Sequence, residues 1–407
     1  MSKGGQILTG ARSPLPTVGF VLACLCLDPR GRATADGVRA GLILGTRIDE
    51  SSTRDAASEG WNGSWTPFAK WSRTSASTEF DLEARRRFDS TPESWSPRPA
   101  VDVARLGMSS RGGGPSTWEI AGRYQRSRDP VSIEPRTVVF PGTTETGDVT
   151  AALGLRRAEA GWEMRSTSRQ ASGAVDGWSQ RAVVTLLPLS TPTTGWLIRG
   201  GIQNWTLDQR EALRVARATT GYRRVHAPGF TTEAEIGVAE VRDLTGGTTD
   251  SQPAWGVAVA GFAGLLGLAL DSKLRVAHDV TTTGGLDLGR SVSGMSLTLH
   301  AERTLEAEGG VFDAPALKDF AAVGIADTVA GDWMGGLEAS YARTRLRAGD
   351  GPSVETSRAS VTAGHRIHDW LTAQTSLVFL RQVETHAQQV DRSHRGRVEI
   401  ALMATFQ

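Results

Sequence analysis

The groups in this 407-residue chain that could do chemistry are scattered, and few stand at the spacings chemistry requires. His365-Arg366-Ile367-His368-Asp369 is the stretch richest in ligand atoms. Zinc needs several donors converging at about 2 Å, and on a strand running into a turn these two imidazoles point apart. The stretch reads as a polar turn, with no metal and no cofactor expected. His300 and Ser296 share one strand face, as a base and a nucleophile would. Four residues of extended chain put about 13 Å between them, beyond direct proton transfer. Arg85-Arg86-Arg87 is a dense basic run, but glutamates flank it and the formal net charge is only +1, so a solvated strand face is favoured over a nucleic-acid contact. The chain has no glycine-rich nucleotide loop, helix-borne zinc motif, nucleophile elbow, or solenoid or propeller repeat. No catalytic residue is assigned, and the chain is not read as an enzyme.

Charge is informative here through its placement. Glu83, Arg85, Glu119, Arg123, Arg156, Glu163, Arg165, Arg181, Arg199, Arg397 and Glu399 each fall on the polar side of a segment in which polar and apolar residues alternate. Projected together into one interior, such mixed rows create a transverse field and a hydrated path suited to polar or saccharide-like solutes. In the bland reading they satisfy one another and plug the bore. The excess of arginine over lysine implies no ion selectivity by itself.

The elements that must position these charges are strands. Phe80, Leu82, Ala84 and Phe88 alternate with Glu79, Asp81, Glu83, Arg85 and Arg87, and Trp196, Ile198, Gly200 and Ile202 alternate with Leu197, Arg199, Gly201 and Gln203. Twenty such segments can be placed from 37–48 to 393–407, of which 99–108 and 284–291 are weak. A β-sandwich alternates too, so connection lengths decide. The connections at Arg366–Asp369, Val329–Asp332 and Phe262–Leu265 are tight, whereas 384–392, 305–318 and 244–253 are long and polar. Short turns at one end and long loops at the other indicate a membrane barrel. The expected fold is all-β: a single antiparallel transmembrane barrel of about 18 strands (range 16–20), closed by 393–407 against 37–48.

Several details bear on that fold. Pro130, Pro135, Pro141, Pro192, Pro228, Pro253, Pro315 and Pro352 are expected in connections, with Pro67 the exception. Trp118, Trp178, Trp196, Trp255, Trp333 and Trp370 stand near strand starts, as interfacial girdles would. Arg86 falls on the apolar face and must lie near a rim. The uncharged run 254–270 could be a short membrane helix by length, but Gly261-Phe262-Ala263-Gly264 at its centre favours two strands and a turn.

Residues 1–35 read as a signal peptide: Lys3 and Arg12, then the apolar Val18–Leu27, then Ala33-Thr34-Ala35 before Asp36. Val21-Leu22-Ala23-Cys24 also fits a lipoprotein signal loosely. Cys24 and Cys26 are the only cysteines, so the body at 36–407 has no disulfide.

The final strand completes the pattern. Val398, Ile400, Leu402, Ala404 and Phe406 share one face, with the aromatic at the penultimate position before Gln407. Together with the Asp332-Trp333 and Asp369-Trp370 strand entries, this resembles bacterial outer-membrane β-barrel proteins, a porin-like group that includes exopolysaccharide-associated members. The resemblance implies an outer-membrane location, contact with outer-membrane lipid, recognition of the C-terminal strand by the barrel-assembly machinery, and a channel-like body. It implies no particular solute. The expected function is a porin-like channel for polar solutes, with saccharides among the candidates. The alternatives are a barrel-borne lipase or protease and a secreted non-membrane β-protein.

Overall fold

Alternation at period two sends successive side chains to opposite faces, and the chain uses it almost throughout. The computed structural model describes residues 37–406 apart from 53–56, 76, 92–93, 111–115, 129–142, 156, 171–176, 192, 208–209, 244–246, 267–269, 293–294, 307–314, 328–331, 347–351 and 387–388. The region expected to be a signal peptide and Arg156 therefore lie outside the described residues.

Twenty strands form in chain order: β1 (Gly37–Ser52), β2 (Ala57–Thr74), β3 (Thr78–Thr91), β4 (Ser94–Ser110), β5 (Ser116–Ser127), β6 (Thr143–Leu155), β7 (Ala158–Gln170), β8 (Gly177–Ser190), β9 (Thr194–Leu207), β10 (Arg210–Ala227), β11 (Phe230–Asp243), β12 (Thr248–Ala260), β13 (Asp271–His278), β14 (Thr282–Val292), β15 (Met295–Glu306), β16 (Ala316–Asp327), β17 (Trp333–Leu346), β18 (Ser353–His368), β19 (Leu371–His386) and β20 (Gln389–Phe406). Each pairs antiparallel with its sequence neighbours, and β20 returns to β1 with Ala40 opposite Phe406 and Ser52 opposite His394. The sheet is thus one closed barrel, and the expected closing strand closes it.

The strand number is 20, two above the expected 18, because both weak segments are strands. In β14, Gly284, Gly285 and Gly289 thin out the alternation. In β4, the register with β3 shifts where Arg87 faces Val101 and Phe88 faces Pro99. A bulge of this kind interrupts the pattern without ending the strand.

Faces are assigned by what touches what. Side chains that meet across the interior from distant strands define the inner face. Nearly all the large exposed apolar residues, such as Ile198, Ile236 (66% exposed), Val257, Leu337 and Ile400, lie on the other. On β11 the outward residues run Phe230, Thr232, Ala234, Ile236, Val238, then Glu240 and Arg242. The uncharged part matches the 9–11 residues needed to cross hydrocarbon. A closed antiparallel barrel with an apolar outer band is the architecture of outer-membrane barrels.

The rim holding Gly37 and Phe406 is called the lower rim here. Trp118, Trp196, Trp333 and Trp370 lie there, with Trp196 against Tyr222 (ring centroids 5.6 Å apart), Trp333 stacked on His365 (4.4 Å) and His368 stacked on Trp370 (6.0 Å). The two histidines of the polar turn thus belong to aromatic stacks. Trp178 opens β8 at the upper rim. Trp255 stands well inside β12, opposite Ile236, because β12 begins at Thr248. Arg86 marks the upper edge of the band. Its Nε donates to Asp102 at 2.5 Å, and the outward row continues as Arg126 and Glu145, paired at 3.1 Å. A second outward row, Arg303, Asp319, Arg343 and Glu355, crosses β15 to β18.

Above these rows the strands continue as a polar-walled collar, which corrects the long-loop expectation. β19 runs to His386 and β20 starts at Gln389, while β15 reaches Glu306 and β16 starts at Ala316. At the end of β19 polar residues on both faces removed the sequence alternation without ending the ladder. The tight turn expected at Phe262–Leu265 is instead a single 3-10 turn at Phe262–Leu266, with β13 starting only at Asp271. Gly261 precedes it at φ 73, and a Cβ there would sit 1.8 Å from the Gly229 carbonyl oxygen, so only glycine fits against the neighbouring Pro228-Gly229 turn. No helix among the described residues is long and apolar enough to cross a membrane.

Pro315 and Pro352 precede strands as expected, and Pro130, Pro135, Pro141 and Pro192 lie outside the described residues. Pro253 is a correction, for it lies inside β12. β12 pairs with β13 only from Trp255 onward, so this stretch has one free edge. Pro67 sits in β2 where the β2–β3 register passes from Trp65 to Phe88 and then Phe68 to Arg85, omitting it.

This assignment of faces predicts opposite results for two kinds of charge change. Ile236→Arg is expected to cost about 2–4 kcal/mol, whereas Glu119→Gln on the inner face is expected to change stability by less than about 0.5 kcal/mol. Urea titration of the folded fraction in lipid vesicles distinguishes them.

Candidate functional site in the lumen

Glu83, Arg85, Glu119, Arg123, Glu163, Arg165, Arg181, Arg199, Arg397 and Glu399 all stand at inward-facing register positions. Their surroundings differ. Arg397 is buried and donates to Asp49 at 2.6 Å across the closing seam, while Arg47 reaches Asp49 (2.7 Å) and both carboxylate oxygens of Asp89 (3.0 and 2.7 Å). Glu83 lies 3.9 Å from Arg105, itself opposite Arg123.

A continuous ladder of alternating charge crosses β7 to β11. Glu159 meets Arg223 at 3.2 Å, Arg223 meets Glu233 at 2.9 Å, Glu233 meets Arg199 at 2.7 Å, Arg199 meets Glu235 at 2.9 Å, and Glu235 meets Arg217 at 2.5 Å. The Thr219 hydroxyl also donates to Glu235 at 2.9 Å. Register places these groups together, since Arg223 faces Glu233 and Thr219 faces Arg199. Of this ladder only Arg199 was singled out in the sequence. Glu233 and Glu235 occupy alternate positions of β11, and Arg217, Thr219 and Arg223 alternate positions of β10, so the missed signal was the same period of two.

The lumen is pinched at one level. A circular barrel of 20 strands would measure about 40 Å between opposite backbones. β9 and β15 would then stand about 30 Å apart by the same geometry. Yet the Trp205 indole N–H donates to the Leu305 carbonyl at 2.8 Å, and Arg165 on β7 reaches Glu306 on β15 at 2.5 Å. Lys318 closes on the same carboxylate at 3.3 Å and is almost wholly buried. Glu306 and Lys318 were expected in a loop; instead they end β15 and begin β16, on the inner face.

The pinch goes with the short β13–β14 hairpin. Above His278 β12 loses β13, and above Arg303 β15 loses β14, so the Leu305 carbonyl needs another donor. Trp205 supplies it, within an apolar cluster of Leu207, Leu213, Val215, Val241 and Leu305, against which Val280 of the β13–β14 tip also packs. The walls therefore touch between β7–β9 and β15–β16. At that level they separate a small lobe, bounded by β9 to β15, from a larger one.

His300 faces the small lobe, where its Nδ1 bonds Asp287 and its Nε2 lies 3.4 Å from Glu302. Ser296 lies on the same face, and its hydroxyl donates to the Ala326 carbonyl at 3.5 Å. These walls carry fixed charges of both signs. Glu235 carries three of their hydrogen bonds, so Glu235→Ala is expected to destabilise the barrel by about 3–5 kcal/mol, by leaving buried arginines uncompensated. Glu235→Gln is expected to cost less, and urea midpoints of the two variants measure the difference.

No family model matches the chain, and no curated protein matches it by sequence. Among solved structures the barrel is similar to the outer membrane protein opdK from Pseudomonas aeruginosa, with 10% identity and a TM-score of 0.38 over 91% of this chain and 99% of that one. It is similar to OccAB4 from Acinetobacter baumannii, with 10% identity and a TM-score of 0.34 over 92% and 100%. It is also similar to the siderophore receptor PirA from Pseudomonas aeruginosa, with 11% identity and a TM-score of 0.40 over 93% and 81%. At such values the likeness carries nothing about solute or mechanism, and the barrel rests on its own hydrogen-bond register.

Proposed function

We propose that this chain is a porin-like channel of the Gram-negative outer membrane that lets small polar solutes cross passively. The observation that carries the reading is the division of faces: a band of apolar residues outward, and inward a lattice of both charge signs. An interior built only for stability would be cheaper with apolar packing, since buried ion pairs recover little of their desolvation cost. The pinch makes the path narrow, in contrast to the wide bore that a circular barrel of this size would leave. Glu83, Arg85, Glu119, Arg123, Arg156, Glu163, Arg165, Arg181, Arg199, Arg397 and Glu399 are proposed as lining residues.

In the same reading residues 1–35 direct export, and the β20 strand ending at Phe406 is recognised by the barrel-assembly machinery. The chain carries out no reaction. Planar-bilayer recording of the refolded barrel tests the channel. Stable unit steps of current are expected, with a larger unit step for Trp205→Ala, which removes the N–H that holds the pinch. Neutralising Arg123, Arg165 and Arg199 together is expected to shift the reversal potential toward cations, because lumen charges set selectivity. Absence of unit steps from correctly folded barrel under every voltage and salt tried would overturn the channel.

A further inference from the structure

Most inward arginines have a carboxylate within reach, but three inward cations beside the pinch do not. Arg181 on β8, with Lys273 and Arg275 on β13, face one cavity of about 370 Å³ beside the pinch. None has a side-chain hydrogen bond or ion pair among the described residues. Their register neighbours are committed elsewhere or out of reach. Asp287 stands opposite Lys273 but is turned to His300, and Glu163 stands opposite Arg181 without closing to ion-pair distance. Asp279 and Glu302 also line the cavity; Asp279 accepts the Val280 N–H at 2.7 Å, and Glu302 lies 3.4 Å from His300 Nε2.

The cavity also has an apolar side. The buried Trp205, Leu305 and Ala277 border it, and Gly285 leaves room beside them. Two guanidinium groups can each grip a carboxylate through two parallel hydrogen bonds. The lysine adds a mobile point charge.

We propose that Arg181, Lys273 and Arg275 form a binding site for a small organic carboxylate, seated in the cavity beside the pinch. The inference deepens the channel reading and rests on it for the solute's route in. The site itself stands on the unpaired cations and the cavity.

Titration calorimetry of the full refolded barrel in detergent tests the site independently of conduction. The probes are sodium benzoate, neutral benzamide of the same shape, and inorganic phosphate. Benzoate is expected to bind at least about tenfold tighter than benzamide, and the Arg181→Gln, Arg275→Gln double variant to lose at least about tenfold, the scale of one charge-assisted contact. Lys273→Gln alone, a smaller change, should weaken benzoate severalfold even if the double variant folds poorly. Arg343→Gln removes an equal charge from the outer face and should bind benzoate like the wild type.

Equal binding of benzoate and benzamide, tighter binding of phosphate than benzoate, or equal loss in Arg343→Gln would each overturn the site. Unit current steps with no benzoate binding would overturn it while leaving the channel standing. Benzoate binding without current would overturn the channel and leave the site.

Discussion

Closure of the hydrogen-bond ladder is the constraint on which the rest of this molecule depends. In hydrocarbon an unpaired backbone N–H or carbonyl costs several kcal/mol with no water to relieve it, so a membrane sheet has to return to its own first strand. Here β20 does so along most of β1, and Arg397 with Asp49 fastens the same seam on the inner side. Closure then determines everything about faces. A slip of one residue would exchange lipid-facing and lumen-facing side chains around the whole ring, exposing Glu233 and Glu235 to lipid and burying Ile236 among arginines.

Where the ladder is incomplete, the structure shows what substitutes for it. The β13–β14 hairpin is too short to serve β12 and β15 along their full length, and the Leu305 carbonyl is taken up by an indole from a strand six places round the ring. That donor can reach only if the walls approach. The apolar cluster around Trp205 and the Arg165, Glu306 and Lys318 group follow from the same approach. The narrowest part of the lumen is thus a consequence of one short hairpin.

The legible part of the fold was what period-two alternation could express. All twenty strands coincide with segments placed from the sequence, eighteen of them clearly alternating, and the inward positions of Arg123, Arg165 and Arg199 follow from local parity alone. Alternation is lost where both faces are polar, which ended β19 too early in the sequence, while Glu306 and Lys318 were assigned to a loop although Leu305 and Leu317 continue the apolar face there. It is also lost where glycine replaces the apolar partner, as in β14. Pro253 misled for a different reason: a proline is excluded by a ladder on both edges, and β12 has one edge free at that point.

By itself the sequence determined the class of structure, the wet and oily faces of each strand, and the strand that closes the ring, because these depend on a residue's neighbours two places away. Only the tertiary structure decided which charges meet. The contacts of Arg199 with Glu235 and of Arg165 with Glu306 join residues 36 and 141 positions apart. Strand register and the shape of the cross-section set those distances, and neither is written in local spacing. The cations left without partners were decided in the same way: Arg181 and Arg275 look in the sequence like any other inward arginine, and only the geometry of the pinched lumen leaves them facing open space.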